Sequence, residues 1–450
     1  MKEPMYKLLA AEIRREIRLG NLRSGDRLPS KRALSEEKNI SLMTVNGALE
    51  LLEAEGYIYS RERIGFFVAD GIKTDTRADE SYEPVIESFR YDFRTARTAV
   101  EGFPFYTWTK LMRETISEKS EQLLASIDPK GVYELRFEIA RQLRLLRGID
   151  CDARQIIIGA GTEYLIGLVY QLLGKKNYAF ESPGYTKAAK IYSHLGARLS
   201  FIPSDHEGIS AKVIEDSENI EVVQTTPSHS FPLGTVMSCG RRRELISWVA
   251  SKEGRYLIED DFDSEFRYDG ESFKSLFSLD KSDRVIYMNT FTRTLAPSMR
   301  IGYMVLPPEL LKKFEDEYMF YSSTVPALEQ YVLAKSIAEG AFERHLSRMR
   351  KIYLNRRDRL IDELKCFGDS VEILGTEAGV HILVRLHNGL TERRVVAYAK
   401  THGINIAGIS EYIPEGAKNY LGEAVVVNFA GQSENEISEA VACLVEKKHA

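Results

Sequence analysis

The sequence predicts an α/β protein built on a mostly parallel sheet. A small helical head ending in a hairpin precedes that sheet, and a smaller α+β part follows it. Three observations carry the prediction. Short apolar runs recur between turn signals, at Tyr256-Leu257-Ile258, Val285-Ile286-Tyr287-Met288 and Ile301-Gly302-Tyr303-Met304-Val305-Leu306, the pattern of strands buried on both faces. Residues 1–70 read instead as three short helices and two alternating strands. A chain of 450 residues, 44% of them hydrophobic, is long enough for more than one core.

Charge and cysteine content narrow the class. The net charge of −5 gives no global nucleic-acid signature, and residues 1–70 hold 12 basic against 11 acidic side chains. Bulk charge therefore neither supports nor excludes DNA binding by the head. The four cysteines, Cys151, Cys239, Cys366 and Cys443, lie far apart without metal-ligand spacing, which suits a reducing compartment. The charged N-terminus lacks an apolar signal segment and no run reaches transmembrane length, so the expectation is a soluble cytoplasmic protein.

In chain order, residues 4–20 place Leu8, Leu9, Ile13 and Ile17 near helical spacing, with Gly20 as a stop. Gly25-Asp26-Arg27-Leu28-Pro29-Ser30 is a turn ending in an N-cap serine, and a short helix follows to Asn39. Ser41 caps a third helix, Leu42–Glu55, with Val45, Leu49 and Leu52 on one face. Tyr57–Ser60 and Phe66–Val68 form two strands around Arg61-Glu62-Arg63-Ile64-Gly65. Three helices and a hairpin describe a winged helix-turn-helix whose third helix reads a groove.

With Gly25–Arg32, Ser41, Thr44-Val45 and Leu52-Glu53-Ala54-Glu55-Gly56-Tyr57 in place, the head resembles the GntR family of bacterial regulators. The resemblance implies that Arg32, Ser41 and Thr44 touch double-stranded DNA. Hydroxyls at a helix N-terminus suit phosphate oxygens, and arginine can take a guanine edge or a phosphate. Leu42 stands where the family often has arginine, and Asn46-Gly47 dilutes the polar face, so contacts are expected to shift to Lys31, Asn46, Arg61 and Arg63.

Residues 70–88 are polar without periodicity and read as a linker. The expected division is a head at 1–69, a linker at 70–88 and a body at 89–450, with its large part at about 89–308 and its small part at about 309–450. In the body, Ile156-Ile157-Ile158 is a strand, Gly159-Ala160-Gly161-Thr162 a small-residue turn, and Tyr164–Leu173 an apolar helix. Such a turn lets backbone N–H groups meet an anion. Tyr178-Ala179-Phe180 is a strand before Glu181-Ser182-Pro183-Gly184-Tyr185. The small part has helices at Val325–Glu339 and Leu346–Leu364 and strands at His381–Leu386 and Ala424–Phe429.

The strand ends Glu259-Asp260-Asp261-Phe262-Asp263 and Asn289-Thr290-Phe291-Thr292-Arg293, with Arg300 before the third run, resemble the cofactor site of fold-type I aminotransferases, which bind pyridoxal 5′-phosphate. The segment Thr226-Pro227-Ser228-His229 further resembles the MocR branch of GntR regulators, which fuse the head to an aminotransferase-like body. The resemblance now covers nearly the whole chain. It implies that Asp260 pairs with the pyridine nitrogen, that Tyr185 lies near the ring, and that Gly161, Thr162, Thr290 and Arg300 hold the phosphate. It also implies a homodimer. Where the family has its Schiff-base lysine, this chain has Arg293, and a guanidinium stays protonated and cannot form an imine. Phe262 and Val426 stand where a tyrosine and a carboxylate-binding arginine are usual. The expectation is a DNA-binding transcriptional regulator whose body senses a small effector: noncovalent pyridoxal 5′-phosphate, a preformed adduct of it with an amino acid, or another anionic metabolite. It has no turnover and no metal. The competing readings are an aminotransferase with an appended head and a dimerisation platform without ligand.

Overall fold

The computed structural model describes residues 4–62, 64–72, 88–94, 97–217, 219–268, 273–415 and 417–445. The chain divides into two compact units, Met1–Glu87 and Ser88–Ala450. The residues expected as linker lie mostly at 73–87, outside the described residues.

The first unit holds α1 (Met5–Arg18), α2 (Lys31–Glu37), α3 (Leu42–Ala54), β1 (Ile58–Arg61) and β2 (Gly65–Val68). Ser30 Oγ accepts the Ala33 N–H at 3.2 Å and Ser41 Oγ accepts the Thr44 N–H at 3.1 Å. Each serine thus satisfies an N–H that the first helical turn leaves without a carbonyl. The apolar faces meet in one core, where Leu9, Ile13, Ile17, Val45, Leu49 and Leu52 are buried. The two strands pair antiparallel with Tyr59 opposite Phe67.

In the second unit the strands are β3 (Tyr91–Asp92), β4 (Ile156–Gly159), β5 (Asn177–Ser182), β6 (Arg198–Asp205), β7 (Gly208–Ile209), β8 (Val222–Thr225), β9 (Tyr256–Asp260), β10 (Val285–Thr290) and β11 (Gly302–Val305) in the large part. The small part adds β12 (Val371–Leu374), β13 (His381–Leu386), β14 (Ile404–Asn405), β15 (Ala407–Gly408) and β16 (Ala424–Asn428). The large sheet runs β4-β11-β10-β9-β8-β5-β6-β7, with β10, β9, β8, β5 and β6 parallel in sequence. Its central strands β8, β9 and β10 are buried at every residue, so they open on apolar runs rather than alternating, with polar residues only toward their carboxyl ends.

One expectation needs correction. The third apolar run, β11, is antiparallel to both β10 and β4. The chain between β10 and β11 is too short to carry the crossover that a parallel return requires, so the strand must turn back. The reversal puts its amino end, with Arg300 just before it, on the same edge of the sheet as the carboxyl ends of β4, β9 and β10.

Helices α4 (Phe105–Glu118), α5 (Ser120–Leu123), α6 (Tyr133–Arg147), α7 (Thr162–Leu173) and α8 (Thr186–His194) belong to the large part. The small part sets the antiparallel sheet β12-β13-β16-β15 against the long helix Ala341–Leu364 and the helix Glu434–Val445. Strand β3 pairs in parallel with β14 of this small part. Bonds from Tyr91 N–H to the Gly403 carbonyl and from Phe93 N–H to the Asn405 carbonyl flank the pair.

Candidate functional site

The carboxyl edge of the large sheet opens into a cavity of about 280 Å³, lined among others by Thr162, Tyr185, Asp260, Thr290, Arg293 and Arg300. Gly161 adjoins it as the residue before α7. The seven residues expected to hold a cofactor thus come together, as the crevice rule for α/β sheets requires. Thr292, Lys187, Glu163, Phe231 and Phe262 also line it.

Successive residues of a strand point to opposite faces, which separates the acids at the end of β9. Glu259 accepts the Phe277 N–H at 2.9 Å. Asp261 meets Arg147 at 3.0 Å and the hydroxyls of Tyr287 and Ser264 at 2.6 and 2.9 Å. Burial pushes the Asp261 carboxyl up, but Arg147 and those hydroxyls outweigh burial and hold it below its ordinary value. Asp260 faces the cavity and has only Gln224 Nε2 at 3.4 Å, while its Oδ1 is buried without a partner. Burial first, then the charges of Asp261 and Asp263, push its pKa up to about 7.

Arg293 follows β10 and is half-buried. Among the described residues its guanidinium makes no hydrogen bond or ion pair; its Cζ stands 5.9 Å from the centre of the Phe262 ring. Burial lowers its pKa, opposed by the nearby Asp263 carboxylate. The Thr290 hydroxyl lies 3.1 Å from the Ile301 carbonyl and 2.7 Å from the Thr292 hydroxyl.

On the far wall, Arg300 adopts a left-handed conformation with φ 50°, uncommon for a residue with a side chain. It reaches Glu163 at 3.2 Å, and Lys187 ion-pairs with the same carboxylate. Gly161 has φ +82°, which strains any other residue, and a Cβ there would stand 2.7 Å from the Arg300 guanidinium and push it aside. The Thr162 end of α7 has no side-chain cap, leaving backbone N–H groups and the positive end of the helix dipole free for an anion. Lys187 and Thr292 escaped the sequence reading. Their one signal was position, two residues after Tyr185 and one before Arg293.

In the first unit, Arg32 and Ser41 are exposed and Thr44 is half-buried. The Ser41 and Thr44 hydroxyls lie 2.8 Å apart at the start of α3. Lys31 Nζ sits 5.3 Å over the Phe66 ring, and Arg61 Cζ sits 4.9 Å over Phe67 and 5.5 Å over Tyr59. Aromatic side chains of the hairpin thus support both cations. Asn46 is half-buried and its Oδ1 is covered without a partner. Arg63 lies outside the described residues. Leu42 and Met43 leave the first turn of α3 apolar and exposed, Met43 by 83%.

Comparison with known proteins matches this division. Residues 99–444 fit the family "Aminotransferase class I and II", and residues 5–68 fit "Bacterial regulatory proteins, gntR family". The HTH-type transcriptional regulator YhdI of Bacillus subtilis is 35% identical over 97% of this chain and 94% of its own. The probable rhizopine catabolism regulatory protein MocR of Rhizobium meliloti is 30% identical over 90% of this chain and 87% of its own. Among solved structures, a Pyrococcus horikoshii kynurenine aminotransferase superposes with a TM-score of 0.71 at 26% identity, over 83% of this chain and 94% of that one. Fold and cavity thus define an aminotransferase class I and II body carrying a gntR-type head. The chain belongs to the MocR branch of the GntR family. No helix among the described residues is long and apolar enough to cross a membrane.

Proposed function

We propose that this chain is a DNA-binding transcriptional regulator whose body senses a small anionic effector and performs no amino-group transfer. The head is assigned to residues 1–69, the linker to 70–88 and the body to 89–450. The observation that carries the reading is Arg293, a guanidinium on the cavity wall just after β10 that makes no hydrogen bond or ion pair among the described residues. A guanidinium holds anions through forked hydrogen bonds but offers no free amine to attack a carbonyl or carry a substrate proton.

The residues present fit pyridoxal 5′-phosphate held noncovalently. The buried, unpartnered Oδ1 of Asp260 suits a protonated ring nitrogen. Tyr185 suits a ring face. Thr162, Thr290, Arg300 and the N-terminus of α7 suit a phosphate, with Gly161 allowing its approach. When bound, the cofactor would supply an electron-withdrawing ring, and Arg293 provides no amine with which to engage it. Glu163, already paired with Arg300 and Lys187, competes with an incoming phosphate, so binding requires those pairs to rearrange. A preformed adduct of the cofactor with an amino acid would add a carboxylate that Arg293 can clamp.

On the head, Lys31, Arg32, Ser41, Thr44, Asn46, Arg61 and Arg63 are assigned to DNA, the first turn of α3 to the groove and the hairpin cations to phosphates. A homodimer would present two heads to repeated half-sites. Support for it is the apolar surface of α4 and α6, where Phe105, Tyr106, Tyr133 and Phe137 are each more than half exposed.

The test joins both roles. Pyridoxal 5′-phosphate is added to the full chain, and thermal unfolding, borohydride trapping and amino-group exchange with added amino acid are measured. The reading expects a raised melting temperature, no trapped adduct and no exchange. A trapped adduct or measurable exchange overturns it in favour of an aminotransferase with an appended head.

A further inference from the structure

Beside Phe231, among residues that do not line the cavity, lies a buried cluster. His229 sits in the loop after β8, Asp263 in the turn after β9, and His381 opens β13 of the small part. All three are at most 2% exposed. The two imidazole rings lie 4.5 Å apart, and Phe231 packs edge-on against His381 at 5.0 Å. One ligand atom from each of the three residues falls within 4.8 Å of the others.

The hydrogen bonds around the rings have a specific form. His229 Nδ1 lies 2.8 Å from Asp263 Oδ2 and donates to that carboxylate. His381 donates to the Pro232 carbonyl, since proline has no N–H to offer in return. The Pro232 bond leaves His381 Nε2 with its lone pair, and on the other ring the proton that Nδ1 shares with Asp263 is the one an ion would replace. Both Nε2 atoms are buried and have no partner among the described residues. A buried lone pair without a donor loses solvation and gains nothing back. His381 has the arrangement of a metal-binding histidine: one ring nitrogen gives its proton to a backbone carbonyl, and the other is left for the ion.

From this arrangement we infer that His229, Asp263 and His381 form a binding site for one divalent transition-metal ion of the zinc class. Two imidazoles and one carboxylate are the donor set for zinc, cobalt, nickel or ferrous iron rather than for calcium or magnesium. Bonds of about 2.1 Å in a tetrahedral array put ligand atoms about 3.4 Å apart. The observed spacing runs from 2.8 Å between His229 Nδ1 and Asp263 Oδ2 up to 4.8 Å, so the ligands need to shift by about 1 Å and the shared proton leaves to solvent as the ion enters. The Asp263 carboxylate compensates the ion's charge, and Arg293 nearby opposes it. Space for the cluster is kept by Gly379 (φ +71°), where a Cβ would lie 2.0 Å from the His229 ring and 2.6 Å from Asp263. Two ligands come from the large part and one from the small part, so the ion acts as a clasp between them.

The experiment uses the full chain, stripped with a chelator and titrated with Co²⁺. Visible d–d absorption and thermal unfolding are followed, and Zn²⁺ is then added in competition. The site predicts saturation at one ion per chain, a rise in melting temperature and bleaching of the bands by Zn²⁺. It also predicts at least tenfold weaker binding in His381→Gln and in Asp263→Asn, with metal-free melting temperatures close to that of the unaltered protein. Absence of d–d bands, or full binding retained in both variants, overturns the inference. If either variant fails to fold, the cobalt X-ray absorption spectrum of the unaltered protein decides. Imidazole outer-shell scattering supports the site and oxygen-only coordination overturns it.

Discussion

Replacing Asp260 by asparagine removes a carboxyl that burial and its acidic neighbours hold at about 7, against an ordinary value of 3.8. The sign follows from proton counting. Between those two values the folded protein keeps a proton that the unfolded chain has released, so stability falls as pH rises through this window and levels off above about 7. One pKa unit corresponds to about 1.4 kcal/mol. The raised pKa then costs the body about 2 kcal/mol at pH 5, where the folded carboxyl keeps its proton, and about 4 kcal/mol at pH 8, where it is charged. Asparagine fills the same space and does not titrate. In urea unfolding of the body, Asp260→Asn is therefore expected to gain about 2–3 kcal/mol on the unaltered protein between pH 5 and pH 8. Glu259 and Glu265, also raised by burial, titrate in both proteins and largely cancel. A stability difference that does not change with pH would refute the reasoning. The same substitution should weaken pyridoxal 5′-phosphate far more than an analogue lacking the ring nitrogen, because only the protonated nitrogen relieves the buried charge.

Arg293→Lys places an amine on the cavity wall, and borohydride treatment with pyridoxal 5′-phosphate should then leave a covalent mass increment, detected by mass spectrometry, that the unaltered protein lacks. Lys31→Ala and Arg61→Ala each remove one cation, so each should weaken DNA binding across sequences and reduce the slope of log affinity against log salt by about one, as titrations at several salt concentrations would show. Leu49→Ala, in the core of the head, should cost the head about 2–5 kcal/mol and abolish DNA binding, while ligand-induced stabilisation of the body persists in calorimetry. Gly379→Ala drives a methyl into the His229 ring at a left-handed position, and should lower the body's stability by about 2 kcal/mol or more in thermal unfolding.

The sequence made β9 and β10 legible because they are buried on both faces and open on apolar runs, with polar residues only at the carboxyl end, whereas β8, two valines followed by Gln224 and Thr225, is too short an apolar run to stand out. It did not make the direction of β11 equally plain. An apolar run looks the same whichever way it points, and only the length of the preceding connection decides. The head was legible in detail because caps and turns are local: Ser30 and Ser41 each bond an N–H three residues on. The cavity was legible through resemblance. Composition alone does not say which of four neighbouring acids faces inward, and that choice rests on partners as distant as Arg147 and His229. His229, Asp263 and His381 each fall in a segment the sequence makes visible, but nothing in it brings the three together. Their proximity depends on two strands of the large sheet and one of the small meeting, which no spacing encodes.

The first residues of the body do not join the large sheet. Tyr91 and Asp92 lie alongside Ile404 and Asn405, and Asn405 Nδ2 bonds Asp92 Oδ1 at 2.9 Å. The start of the body is thus sewn into the C-terminal portion of the fold, far along the chain from its own neighbours. Any tilt of that portion carries Tyr91 and Asp92 with it. Two stretches of the body 313 positions apart in sequence then move as one, held by one short parallel stitch.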